Sequence, residues 1–160
     1  MGVGKSTVGR LLSRLLFLPF YDSDLAIEKR AGANISWIFD KEGEQGFRDR
    51  ETAVLSELMH HDSMVLATGG GIVVREENRE LLKQADHICY LMAKPELLVA
   101  RTKKNNKRPL LQVDNPIEKI LSLLKERDAL YREVATITTR TDNRGAKKTA
   151  QEIIKQLTSI

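Results

Sequence analysis

The sequence predicts an α/β fold, a parallel sheet with helices on both faces. Three observations carry this. Short apolar runs at 18–22, 63–67, 87–91 and 136–139 have strand length and strand composition. Longer segments with apolar residues at helical spacing separate them, the alternation expected when parallel strands are joined by helices. Glycine-rich turns then sit at strand–helix junctions, Gly2 and Gly4 before the first helix and Gly69-Gly70-Gly71 after the second strand.

The amino terminus carries the densest chemical signal. Gly2-Val3-Gly4-Lys5-Ser6-Thr7 ends in the last three elements of the G-x-x-x-x-G-K-[ST] phosphate-binding loop, whose first glycine would precede Met1. Val8, Leu11, Leu12, Leu15 and Leu16 follow at helical spacing, so the helix that must leave such a loop is present with one apolar face. In the functional reading bare N–H groups at a helix start wrap phosphate oxygens, Lys5 reaches the β- and γ-phosphates and the Ser6 hydroxyl ligates Mg²⁺. In the plainer reading this is an ordinary glycine-led helix start and Lys5 is a solvated cation.

Composition narrows the class. A chain of 160 residues forms one domain, 1–160, with no linker or repeat. No apolar run approaches the ~20 residues of a membrane span, and no signal peptide is recognisable. The single cysteine, Cys89, excludes an internal disulfide and points to a reducing cytoplasm. A net charge of +4 and an aromatic content of 5% suit an anionic small molecule better than stacked single strands of nucleic acid. None of the three histidines has the spacing of a zinc ligand set.

In chain order, the strand at 18–22 runs into Asp22-Ser23-Asp24. An extended backbone there puts both carboxylates on one side, one to hold Mg²⁺ and one to accept a proton from an attacking hydroxyl; alternatively Asp24 caps the helix beginning at Leu25. Helices are expected at 25–30, 35–40 and 44–60, with Trp37 and Phe39 at the core edge and Phe47, Val54, Leu55 and Leu58 as a buried stripe. Arg48 and Glu51 are i,i+3 neighbours beside that stripe, either a carboxylate-capturing arginine with its partner or a surface ion pair. Gly69-Gly70-Gly71 lets backbone approach a ligand closely, or is a simple turn. A helix at 76–84 precedes the strand carrying Cys89, itself expected in the core. The helix at 95–103 enters a cationic stretch ending in Arg108-Pro109, which fits a mobile lid at about 102–112, a solvated loop or a nucleic-acid contact. In the helix at 116–134, Ile117, Ile120, Leu121 and Leu124 form an apolar face that continues through Arg127 and Tyr131. A cation on a buried stripe needs a partner or ligand, so Arg127 is a better anion-binding candidate than Arg132. The turn at 142–145 and a helix at 146–157 close the chain.

Taken together, Gly-x-Gly-Lys-Ser-Thr, Asp22-Ser23-Asp24, Gly46-Phe47-Arg48, Ala67-Thr68-Gly69-Gly70-Gly71, Arg108-Pro109-Leu110-Leu111 and Arg127-x-x-x-Tyr131 resemble the shikimate kinase family in order and spacing along essentially the whole chain. The resemblance implies a P-loop NTPase fold of the nucleoside-monophosphate-kinase-like architecture and transfer of the ATP γ-phosphoryl group to the 3-hydroxyl of shikimate, in the pathway to chorismate and the aromatic amino acids. It implies ATP and Mg²⁺, a monomer, and no nucleic-acid or membrane partner. Under it, Gly2, Val3, Gly4, Lys5, Ser6 and Thr7 bind phosphate, and Ser6 and Asp22 hold Mg²⁺. Asp24 meets the acceptor hydroxyl as base, Lys5 and Arg108 steady the phosphates, and Arg101 and Arg144 flank adenine. Arg48 and Arg127 grip the shikimate carboxylate, and the backbone of Gly69, Gly70 and Gly71 lines the ring, with Gly70 on a hydroxyl.

The family's sheet has five strands, whereas four are expected among these residues, the first and central one belonging ahead of Met1. Its loss would remove on the order of 10 kcal/mol of apolar burial, so the expectation is a start upstream of Met1 or a fragment. Competing readings are another small P-loop kinase acting on a sugar acid or nucleoside monophosphate, and an inactive paralogue with a binding or regulatory role.

Overall fold

In the computed structural model, which describes residues 2–102, 115–142 and 144–158, the first helix departs from a residue that only glycine adopts readily: Gly4 lies at φ 92°, in the left-handed region. Helix α1 (Lys5–Leu16) leads to β1 (Phe20–Asp22), α2 (Ser23–Ala31) and the long α3 (Ile35–Leu58). Then come β2 (Val65–Ala67), α4 (Glu76–Leu82), β3 (Cys89–Met92), α5 (Pro95–Thr102), α6 (Pro116–Val134), β4 (Ile137–Arg140) and α7 (Ala146–Leu157). Apart from residue 102, the expected lid lies outside the described residues, and Arg108 with it.

The four strands form two parallel pairs. Phe20, Tyr21 and Asp22 face Val65, Leu66 and Ala67 in β1–β2, and Cys89 to Met92 face Ile137 to Arg140 in β3–β4. β2 and β3 are not hydrogen-bonded to each other. A cavity of about 1130 Å³ lies between them, lined by Val8, Leu12, Val65, Leu66, Cys89 and Leu91 among others, and it reaches Lys5, Gly69, Gly70 and Tyr131 at one end.

The helices bury the faces their apolar periodicity dictates, with corrections at the edges. α1 packs on α7 through Val8, Leu12, Ala150 and Ile153. Leu15, expected in the stripe, is half exposed, because the covered face is centred on Val8, Gly9 and Leu12 and Leu15 falls at its margin. Gly9 is required there: a Cβ would sit 2.6 Å from the Phe20 ring. The helices expected at 35–40 and 44–60 are one kinked element, bent at Gly43 (φ 70°, ψ −178°), and its stripe Phe47, Val54, Leu55 and Leu58 is buried as expected. Trp37 is half exposed and leaves the core edge to Phe39, whose ring packs on Phe47 at 4.7 Å. On α6 the buried line is Ile120, Leu123, Arg127 and Val134. Ile117 and Leu121 are half exposed, since Leu121 is a ~100° step round the helix from Ile120. Cys89 packs against the cluster between α1 and α7, and burial pushes its thiol up to about 11, consistent with a packing role.

Leu55 is fully buried between α3 and the segment after β2. Urea unfolding of Leu55→Ala is expected to show a loss of about 2–5 kcal/mol, and Leu15→Ala a change within about 0.5 kcal/mol. Equal losses would contradict the assignment of the α1 face.

Candidate active site

The carboxyl ends of β1 and β2 and the amino end of α1 meet at one place. Asp22 closes β1 and caps α2: its Oδ1 accepts from the backbone N–H of Asp24 at 3.1 Å and of Leu25 at 3.4 Å. Its Oδ2 accepts from the Ser6 hydroxyl at 2.6 Å, joining the P-loop helix to the strand beside it. The extended backbone expected through Asp22-Ser23-Asp24 and the cap expected at Asp24 are therefore both corrected. The chain is not extended through Asp24, and Asp24 is not the cap; it lies in the first turn of α2, because the Asp22 carboxylate satisfies the helix's first free N–H groups. Ser23, fully buried, accepts from Gly69 N–H at 3.2 Å and fastens the glycine turn to the start of α2.

That turn is where the separated candidates converge. A Cβ on Gly69 would lie 2.7 Å from Asp24 Oδ1 and 3.1 Å from Glu51 Oε1, and one on Gly71 would overlap the Arg48 guanidinium. Side chains of α2 and α3 are thus laid directly on backbone, which is why these positions carry no side chain. From the other side, Arg127 of α6 donates to the Gly70 carbonyl at 3.5 Å, and the Tyr131 hydroxyl donates to the same oxygen in a short contact.

Arg48 is not a surface residue. It is 4% exposed, donating through Nη1 to Glu51 at 2.7 Å and through Nη2 to Glu44 at 3.0 Å. Burial works against its charge, but Glu51 and Glu44 outweigh it and hold the guanidinium above its ordinary value. Glu51, wholly buried, is pushed up by burial in spite of Arg48 and Arg127, with Asp24 adding to the rise. Arg48 Nε and Glu51 Oε1 are buried without a hydrogen-bond partner among the described residues, the pattern of a polar pocket whose donors and acceptors serve a ligand.

The remaining candidates take different surroundings. Lys5 lines the same cavity as Thr68, Gly69 and Gly70. Val3 is buried with Leu98, Val99 and Ile120, so its side chain anchors the loop and only its backbone is available to a phosphate; Thr7 is exposed on α1. Arg101 reaches the Thr141 hydroxyl and carbonyl at 3.4 Å and Gly2 O at 3.5 Å, beside the P-loop. Arg144 is exposed next to Gly145, the residue that precedes α7. Sequence reasoning passed over Ser23 and treated Glu51 only as a partner for Arg48. The i,i+3 spacing of Arg48 and Glu51 was the available signal for the latter; for Ser23, flanked by two acids, there was none.

No group of three or more metal-ligating side chains occurs among the described residues. The paired oxygens of Ser6 and Asp22 are hard donors of the kind Mg²⁺ takes.

Comparison with known proteins agrees with this geometry. The family model described as shikimate kinase matches residues 1–158. The shikimate kinase of Pseudomonas paraeruginosa is 51% identical over 160 residues, covering 100% of this chain and 93% of the relative, and that of Vibrio parahaemolyticus is 52% identical over 157 residues, covering 98% and 91%. Among solved structures, shikimate kinase from Acinetobacter baumannii in complex with shikimate superposes with a TM-score of 0.97 at 52% identity, covering 99% of this chain and 89% of that one. Shikimate kinase from Aquifex aeolicus gives 0.86 at 36% identity, covering 99% and 92%. With a phosphate-loop helix and a buried arginine pocket on either side of one glycine turn, and these relatives along its length, the chain belongs to the shikimate kinase family.

Proposed function

We propose that the chain transfers the γ-phosphoryl group of ATP to the 3-hydroxyl of shikimate, as a cytoplasmic monomer, in the pathway to chorismate and the aromatic amino acids. The observation that carries the reading is the convergence of Asp24, Arg48 and Arg127 on the Gly69–Gly71 backbone, in a turn that lines the same cavity as Lys5. No described helix is long and apolar enough to cross a membrane.

The reaction forms one P–O bond and breaks another. The acceptor oxygen attacks the γ-phosphorus, the bond to the β-phosphate oxygen breaks, ADP departs and the hydroxyl proton passes to Asp24. Gly2 to Thr7 present backbone N–H groups to the phosphates, and Lys5 meets the charge that develops on the transferring group. Arg48 and Arg127 fix the acceptor's carboxylate, and the Gly70 backbone takes a ring hydroxyl, so that the 3-hydroxyl is aimed rather than merely nearby. Arg101 and Arg144 border adenine, and Arg108, outside the described residues, is assigned to the phosphates by the family resemblance. Ser6 and Asp22 would hold Mg²⁺, which supplies charge neutralisation on the phosphates when bound. Each arginine on the acceptor has a buried or backbone partner already, so binding the acid costs little side-chain ordering.

Asp24→Ala is expected to lower kcat by about 10²–10⁴-fold while nucleotide affinity changes by less than about threefold; equal losses in both would remove Asp24 as base. Arg127→Ala removes a charged hydrogen bond worth about 1.5–3 kcal/mol and should raise the shikimate KM by about 10–150-fold with little change for nucleotide. A coupled ADP-release assay offering shikimate, gluconate and AMP separates this reading from another small P-loop kinase, and turnover with gluconate or AMP alone would overturn it.

The two glycines should divide by what they touch. Gly71→Ala displaces the Arg48 guanidinium and is expected to act on shikimate KM, and Gly69→Ala displaces the Asp24 carboxylate and is expected to act on kcat, each by about tenfold or more. Steady-state kinetics of the pair checks this; identical profiles would contradict the contacts drawn from the turn.

A further inference from the structure

Three consecutive glycines have no side chains to hold their peptides in place, so each carbonyl must be held by something else or remain free to turn. Two are held within the turn: Ile72 N–H donates to Gly69 O at 3.2 Å and Val74 N–H to Gly71 O at 3.0 Å. The middle one has no backbone donor among the described residues. Its partners are side chains of α6, Arg127 at 3.5 Å and the Tyr131 hydroxyl in the shorter contact.

Tyr131 is built to keep that bond. Its ring rests on Tyr90 with centroids 4.8 Å apart, and the Tyr90 hydroxyl donates to Asp128 at 3.0 Å, one helical turn from the Arg132 that Asp128 also pairs at 2.7 Å. The ring also packs on the cluster of Leu55, Ile72, Val73 and Val134, directly behind the turn. Burial pushes its phenol up against the pull of Arg127 and Arg48, so the hydroxyl stays a donor at neutral pH.

We propose that Tyr131 is a positioning residue for the phosphoryl acceptor: by holding the Gly70 carbonyl it orients the glycine turn and releases Arg127 to bind the acceptor's carboxylate. This rests on the reading of Arg127 and the turn as the acceptor site. With Tyr131 in place the carbonyl remains satisfied when the Arg127 guanidinium turns to an anion. Without it, Arg127 must either stay on the carbonyl or leave a part-buried acceptor without its protein donors.

Tyr131→Phe keeps the ring on Tyr90 and removes the one donor. The expected result is a shikimate KM raised about tenfold, equivalent to ~1.4 kcal/mol, with kcat and the nucleotide KM each within about threefold of the parent. In a double-mutant cycle with Arg127→Ala the two effects should be markedly non-additive, because both side chains serve one carbonyl. A structural role alone would lower the thermal midpoint, shift both substrates and give additive effects, and that pattern overturns the proposal. An unchanged shikimate KM for Tyr131→Phe overturns it as well. If Tyr131→Phe does not fold, Tyr131→Met, of similar bulk and also without a donor, is read by the same two criteria. Failure of the underlying site reading is distinguishable: there Arg127→Ala itself leaves the shikimate KM unchanged, whereas failure of this inference alone leaves the Arg127→Ala effect intact.

Discussion

A Cβ at Gly69 or Gly71 would displace the Asp24 carboxylate or the Arg48 guanidinium, and the site is arranged around that close approach. Asp24 and Glu51 lie on the first of these backbone positions and the Arg48 guanidinium on the second, so a carboxylate and a cation come from two helices to within one turn of each other. β2 ends immediately before the turn, parallel and in register with β1. Because Asp22 terminates β1 opposite Ala67, the registered strand ends bring the metal-binding candidate, the base candidate and the glycines to one edge. A shift of one residue in that pairing would turn every side chain of the strand to the other face.

The charges are set before any ligand arrives. Arg48 is buried against Glu51 and reaches Glu44; at Arg48 the pairing outweighs desolvation, and at Glu51 desolvation outweighs the pairing. The wholly apolar alternative would be at least as stable, so the pair is better explained by its aim than by its contribution to folding. Asp22 shows the same economy, one oxygen satisfying the start of α2 and the other accepting from Ser6, so that the helix carrying Lys5 cannot move independently of the strand carrying the acids.

The two strand pairs contribute unequally. Asp22, Asp24, Arg48 and the glycine turn belong to the β1–β2 half with α2 and α3, and Arg127 and Tyr131 approach on α6 from the β3–β4 side, where Tyr90 supports them. The Gly70 carbonyl is the point at which the two halves are hydrogen-bonded within the site. Coupling between acceptor and the β3–β4 side therefore has a physical carrier in one oxygen and two donors.

Much of this was legible from residue order. The P-loop remnant, the strand–glycine junction, the apolar stripe through Phe47 and Leu58 and the placing of Arg127 on the buried line of α6 follow from local rules of spacing and backbone freedom, which depend only on near neighbours in the chain. Helix faces were misjudged at their margins, at Leu15, Trp37, Ile117 and Leu121, because periodicity marks a stripe but not how wide a partner will cover it. Asp22 and Asp24 were placed together and their roles in the turn misread, since capping depends on the dihedral angles of one residue. What residue order by itself determined was the α/β class, the family resemblance and the chemical types available to the site. That Arg48 is buried, that Glu51 lies beside Asp24, that Ser23 secures the glycine turn and that Tyr131 holds Gly70 were decided only by tertiary structure, because these contacts join residues distant in sequence and arise from burial that no local pattern records.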